Sequence, residues 1–368
     1  MIKWPESTGR PDLVLMTLTL VLVTFGTVMI YSSSSIMALD KFKDGQFFLK
    51  KQLIFFFIGL FVMLAMQKIP YDYWQKLAYP GLILSLILLV LVLIPHVGVK
   101  VGGARRWLRL GPFSFQAVEV AKVAIIVYLA SYLAKRQHQS LDFVQGVIFP
   151  MAPIIPLVVL VLLQPDLGTS IIIVVLSLFM LFIGGIRLKY ILSVFSLAIP
   201  VVAWLLISKS YRLNRLKAFL DPWQDPQNSG FQIVQSLLSF GSGGTFGVGV
   251  GDGMQKLFYL PEPHTDFILA VIAEESGFVG VITVVILFAI LIYRGFMIAF
   301  KSKDRFAALL ASGLTVLIGI EAVVNIAGVM GLIPLKGLAL PFLSYGGSSL
   351  IMSMLAVGIL LNISSHEA

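Results

Sequence analysis

Residues 240–277 read FGSGGTFGVGVGDGMQKLFYLPEPHTDFILAVIAEESG. The stretch opens as a glycine-dense loop, passes a Pro-x-Pro turn at Pro261–Pro263, and runs into an apolar helix predicted from Phe267. That helix carries two adjacent carboxylates, Glu274 and Glu275. His264, Thr265 and Asp266 stand where it meets the membrane boundary. An ionisable group there is costly to hold, and so is a functional candidate by default.

The wider chain supports a membrane reading. It has 368 residues, 58% hydrophobic and 12% charged, against about 25% charged in a soluble domain. No cysteine is present, which excludes disulfides, thiolate nucleophiles and cysteine-bound metal. The four histidines lack metal-ligand spacing. A net charge of +9 points to anionic partners, either lipid headgroups or a phosphorylated substrate. The cations are scattered between apolar runs, which argues against nucleic acid.

Runs of about 20 mostly apolar residues fall at 13–31, 47–66, 77–95, 116–134, 146–164, 168–186, 190–208, 267–293, 306–333 and 346–362. They predict an all-α polytopic membrane protein of about ten spans, since helices satisfy their own backbone in lipid. The first run is too long for a signal peptide and is predicted to stay attached. The whole chain forms one membrane domain, with a large extracytoplasmic loop at 209–266 between spans seven and eight. Lysine and arginine in the short loops favour cytoplasmic termini. A short amphipathic helix is predicted within that loop, from Phe231 to Phe240.

Several motifs can carry chemistry. Arg105, Arg106, Trp107 and Arg109 lie between two spans. Guanidinium forks bind phosphate bidentately, and the same residues can simply anchor helix ends in headgroups. Glu119 and Lys122 share one helix face, as a structural brace or as a site-lining pair. In Gln164-Pro-Asp166, the aspartate can cap the next helix, or Gln164 and Asp166 can line an outer cavity. The loop 241–253 has seven glycines and matches no nucleotide fingerprint; it can form an anion nest or allow close packing. Asp266 can cap its helix, or serve as a general base whose pKa is raised at a dry boundary. Lys122, an arginine or His264 can neutralise Glu274 and Glu275. Pro341 to Ser349, with Ser344 inside it, reads mainly as a packing segment.

Four blocks occur together: GARRWLRLGP (103–112), QPDLGT (164–169), SLLSFGSGGTFGVGVG (236–251) leading to YLPEPHTDFI (259–268), and LPFLSYGGSSL (340–350). In this order, on a chain of about ten spans, they resemble the SEDS family (shape, elongation, division and sporulation) from end to end. MIYSSSS (29–35) and FFLKKQL (47–53) look more like its division branch, FtsW, than its elongation branch, RodA. One departure stands out. The family usually has Gln-Pro-Ser-Glu where this chain has Gln116-Ala-Val-Glu119.

The resemblance implies a peptidoglycan glycosyltransferase in the bacterial cytoplasmic membrane, polymerising lipid II on the outer face for septal wall synthesis. It implies Asp266 as the base on the acceptor 4-hydroxyl, and outer cations as stabilisers of the departing diphosphate. It places Arg105, Arg106, Trp107, Arg109, Glu119, Lys122, Gln164, Asp166, Lys256, His264, Thr265, Glu275 and Ser344 around the substrate. The expected partners are a class B penicillin-binding protein and other divisome membrane proteins. No resident metal is expected, although a Mg or Mn ion can accompany the diphosphate. The competing readings are a lipid II flippase, which needs a polar path through the full membrane depth, and a non-catalytic scaffold for a transpeptidase.

Overall fold

The computed structural model describes residues 9–101, 104–111, 113–136, 142–208, 210–254, 260, 262–334 and 337–366. In chain order its elements are α1 (Leu13–Phe42), α2 (Phe47–Lys68), the short α3 (Asp72–Lys76), α4 (Ala78–Leu93), β1 (Gly98–Val101), β2 (Ala104–Leu110), β3 (Phe113–Gln116) and α5 (Ala117–Ala134). A π-helical turn (Val144–Ile148) leads into α6 (Phe149–Met151) and α7 (Ile154–Leu163), then α8 (Leu167–Ile183), α9 (Leu188–Ile207), α10 (Ser210–Leu220), α11 (Phe231–Gly243), α12 (Ile268–Lys301), α13 (Arg305–Val329) and α14 (Gly347–Ser365).

Among the described residues, seven helices are long and apolar enough to cross a membrane. The pair Val144–Met151 and Ile154–Leu163, bent by 43°, can make an eighth, and Ala78–Leu93 and Leu167–Ile183 are shorter apolar helices. Pro150 and Pro153 flank the bend, where missing N–H donors weaken the ladder.

α5 lies at the centre, buried on nearly every face and packed against α4, α8 and α13. Its start at Ala117, with extended Gln116 ahead of it, is a regular helix despite the altered Gln-Ala-Val-Glu sequence. α9 is the opposite case, with Ile191 its only buried side chain. α2 and α14 pack through glycine: a Cβ on Gly347 would lie 2.4 Å from the Phe55 ring, so only glycine lets the helices approach this closely.

α1 continues well past the predicted end at residue 31 because its serines are satisfied inside the helix. The Ser33 and Ser34 hydroxyls donate to the Ile30 carbonyl. At the N-terminal end of α1, Asp12 receives two hydrogen bonds from Arg294, and its N–H donates to Ser364. Gly9 bonds the Ser365 carbonyl. The two ends of the described chain therefore meet at one end of the bundle.

The segment between α4 and α5 is a three-stranded antiparallel sheet, ordered β1-β2-β3, which departs from a purely helical chain. Trp107 pairs with Val99 on one side and Gln116 on the other. Ala104 and Leu108 are buried, and the pairing of β2 with β1 skips Arg106, an irregularity that interrupts the alternation of side chains there.

Candidate functional site

The glycine-dense loop proves to be a backbone splice. Gly277 (φ 66°, ψ −163°) breaks α12 one turn beyond its two glutamates. The loop fills that break. The N–H groups of Val248 and Gly249 donate to the Glu274 and Glu275 carbonyls, and those of Phe278 and Val279 donate to Gly244 and Thr245. Carbonyls and donors freed by the kink are thus paired again, as buried backbone requires. A Cβ on Gly247 would lie 2.2 Å from the Glu275 oxygen, and one on Gly277 2.3 Å from the Gly247 nitrogen. Close approach, rather than anion binding, accounts for the glycines at these positions.

Glu275 is buried in the same splice, and both its carboxylate oxygens lie 2.7 Å from the Ser32 hydroxyl of α1. Glu274 accepts from the Met254 N–H at 2.8 Å. Glu275 therefore links α1 to α12 through Ser32.

Asp266 sits just ahead of α12 and is held through its backbone. Its carbonyl accepts from the Asn325 amide at 3.0 Å, and the same amide nitrogen donates to Leu338 at 2.5 Å. Its carboxylate faces a niche lined by Val324, Asn325, Gly328, Val329, Gly337 and Leu338, with about 10 Å³ of free space, room for one water. A Cβ on Gly337 would lie 3.0 Å from the carboxylate oxygen. Burial pushes the Asp266 carboxyl up to about 6, and the Glu262 carboxylate adds to the rise. The Arg215 and Arg106 guanidiniums pull the other way. Asp266 is not the helix cap, since Phe267 occupies that position.

The flanking residues serve the turn. The Thr265 hydroxyl and N–H both reach the Glu262 carbonyl. His264 is buried between Phe48 and Tyr345, with ring centroids 4.3 and 5.6 Å away. Burial, helped by Lys41, holds its imidazole down at about 4, so at neutral pH it is no cation for Glu274, Glu275 or a phosphate. The Tyr345 N–H donates to the His264 carbonyl, and Ser344 accepts from the Leu340 N–H. Ser344 thus closes the turn that carries Tyr345.

Arg106 reaches across to the turn before α8. It donates to the Pro165 carbonyl at 2.7 Å and pairs with Asp166 at 3.4 Å. Asp166 also caps α8 by accepting from Thr169, and the Gln164 amide donates to Leu89. Asp166 thus caps α8 and pairs with Arg106, while Gln164 ties α4 to this turn. Arg105 is half-buried and Arg109 exposed. Lys122 lies 2.8 Å from Glu119 and also contacts Glu321 of α13, all three buried. Lys256 lies outside the described residues.

Arg215 and Asn325 escape a sequence reading, and Glu321 shows in the sequence only as a charge deep within a span. Glu321 and Asn325 stand four apart in an apolar helix, a spacing that puts both on one face. Arg215 looks like one more outer cation until α10 folds it toward Asp266. Among the described residues, no three His, Cys, Asp or Glu side chains gather as a metal site.

Comparison with known proteins identifies the family. The cell cycle protein family model, FtsW/RodA/SpoVE, matches residues 12–368. The chain is 50% identical to a probable peptidoglycan glycosyltransferase FtsW of Trichlorobacter lovleyi, over 99% of this chain and 96% of that protein. It is 41% identical to the stage V sporulation protein E of Bacillus subtilis, over 97% and 98%. Among solved structures, a chain from a peptidoglycan synthase complex studied for its coordination of polymerization and crosslinking superposes with a TM-score of 0.78 at 32% identity, covering 96% and 97%. The rod shape determining protein RodA of Thermus thermophilus superposes with a TM-score of 0.72 at 30% identity, covering 97% of each chain. With the family match running nearly end to end and the fold shared throughout, the chain belongs to the SEDS family of FtsW/RodA/SpoVE cell cycle proteins and is FtsW-like within it.

Proposed function

We propose that this protein is a peptidoglycan glycosyltransferase that polymerises lipid II at the outer face of the cytoplasmic membrane, in septal wall synthesis. The observation that carries the mechanism is the Asp266 carboxyl, raised to about 6 beside Arg215 and Arg106. A base is most effective with its pKa near working pH. Asp266 takes the proton of the acceptor 4-hydroxyl. The freed oxygen forms a bond to the donor anomeric carbon. The bond from that carbon to the diphosphate breaks, and the electron pair leaves with the lipid diphosphate. Fixed guanidiniums stabilise the charge that develops there. Arg215 is the freer of the two, since Arg106 already serves Asp166 and Pro165.

The proposal includes ten spans, counting the bent pair and both shorter helices, with the termini cytoplasmic. Arg105, Trp107 and Arg109 face the headgroup layer. Glu119 and Glu321 share the single cation of Lys122, and all three are buried, an enclosed cluster that favours an enzyme over a flippase. A divalent ion would arrive on the diphosphate as part of the substrate, and dilution into chelator tests that requirement. A class B penicillin-binding protein partner is supported by the superposed synthase-complex chain. The deciding experiment is polymerisation of purified lipid II by the full chain, with and without the co-purified transpeptidase. Activity in wild type and its loss in Asp266→Asn supports the reading. Undiminished polymer from Asp266→Asn removes Asp266 as the base.

A further inference from the structure

A second recess opens in the long loop, lined by other residues than the Asp266 niche. It is a cleft of about 370 Å³ between α10 and the start of α11, lined by Tyr211, Asn214, Arg215, Gln227, Asn228, Ser229, Phe231 and Gln232. That volume falls within the roughly 300–1,000 Å³ of small-ligand sites. Asn228 and Ser229 are already engaged by Asp225. Among the described residues, no hydrogen bond engages the side chains of Asn214, Gln227 and Gln232.

The lining chemistry selects a ligand. Side-chain amides donate and accept together, which suits hydroxyls and acetamido groups. Tyr211 and Phe231 add aromatic faces for the apolar face of a ring. A diphosphate calls for several cations, and the cleft holds one, Arg215. The cleft is also coupled to Asp266. Arg215 lines it and acts on the Asp266 carboxyl. α11, which begins at Phe231, is fastened to α13 by the Ser236 hydroxyl donating to the Val329 carbonyl, and Val329 lines the Asp266 niche.

We propose, building on the glycosyltransferase reading above, that the α10–α11 cleft is a saccharide groove that holds β-linked N-acetylhexosamine units of the glycan beside Asp266. Arg215 marks its junction with the reaction centre. The groove engages the sugar backbone, and the diphosphate meets Arg215 only at the rim, where the groove joins the reaction centre.

The test uses the full chain in detergent and a neutral probe, the β-1,4-linked hexamer of N-acetylglucosamine, which lacks both phosphate and lipid. Saturable binding is expected in wild type and in Asp266→Asn. The double variant Asn214→Ala/Gln232→Ala should weaken it about tenfold, as loss of two hydrogen bonds implies, at unchanged melting temperature because both positions are exposed. Inorganic pyrophosphate should not compete. In the polymerisation assay the double variant should release shorter strands. Unchanged affinity in the double variant, no saturable binding in wild type, or displacement by pyrophosphate overturns the groove. Saccharide binding by a wild type that makes no polymer would leave the groove standing and sink the enzyme reading instead.

Discussion

Two groups of charges lie in this bundle, and they are treated differently. In the α5–α13 cluster, Lys122 is held by Glu119 and Glu321, so every charge has a partner within the protein. At the mouth of α12, Asp266 has an amide on its backbone and a water-sized niche beside its carboxylate, and among the described residues no cation is bound to it. Its guanidiniums act from a distance. A buried charge removed from a completed pair leaves its partner stranded. A carboxylate held short of a partner is kept ready to accept a proton. The first arrangement is satisfied within the protein, and the second is the one the proposed mechanism uses.

The sharpest way to break this contrast is Asp266→Asn. Loss of the general base should cut lipid II polymerisation by roughly 10²–10⁴-fold. Stability should move the other way. With the folded carboxyl raised from 3.8 to about 6, the folded state binds the proton more tightly, so ionisation costs stability. That cost is absent below pH 3.8, grows through the window up to about 6, and is complete above it. The asparagine variant should therefore melt higher than wild type at pH 7.5, by up to about 3 kcal/mol, with the gap narrowing toward pH 5. Equal melting curves at both pH values would place Asp266 among the satisfied charges.

Lys122→Met should do the reverse, stranding two buried carboxylates at a cost of about 3–5 kcal/mol. The triple variant Glu119→Gln/Lys122→Met/Glu321→Gln should recover part of the melting temperature. A Lys122→Met protein that melts like wild type yet loses donor affinity would move the cluster into the substrate site.

Arg215→Ala removes a cation that favours ionised Asp266. The acid limb of the pH–rate profile, which falls as pH drops through about 6 in wild type, should shift to higher pH. kcat/KM at neutral pH should fall about tenfold, within the range for one charge-assisted contact. Glu262→Gln should move the limb to lower pH, since that carboxylate raises Asp266. An unmoved limb in both variants separates Asp266 from the step measured.

The smallest effect belongs to the brace. Ser32→Ala should destabilise by about 1–3 kcal/mol, because Glu275 loses a buried donor, while activity per folded molecule stays level. Loss of activity without loss of stability would return Glu275 to the substrate site.

Much of this was legible from residues alone. Hydropathy marked the apolar runs, and the expense of a carboxylate at a membrane boundary singled out Asp266 before any coordinate was known. Asp166 as a cap also followed from local spacing. The pairings were not legible. Lys122 can hold Glu119 within its own helix turn, but its second partner, Glu321, is brought in only when α13 packs on α5. The sheet at 98–116 was missed because its strands are short and lie in a loop too polar for a span.

The amino-acid order by itself determined that the chain is a helical membrane protein and that Asp266 is costly to keep charged, because both follow from transfer of side chains out of water. Tertiary structure alone decided which charges are neutralised, why the 241–253 glycines are there, and which cations act on Asp266. Those depend on distances between segments far apart in the chain, and a carboxylate's chemistry is set by what stands next to it in space.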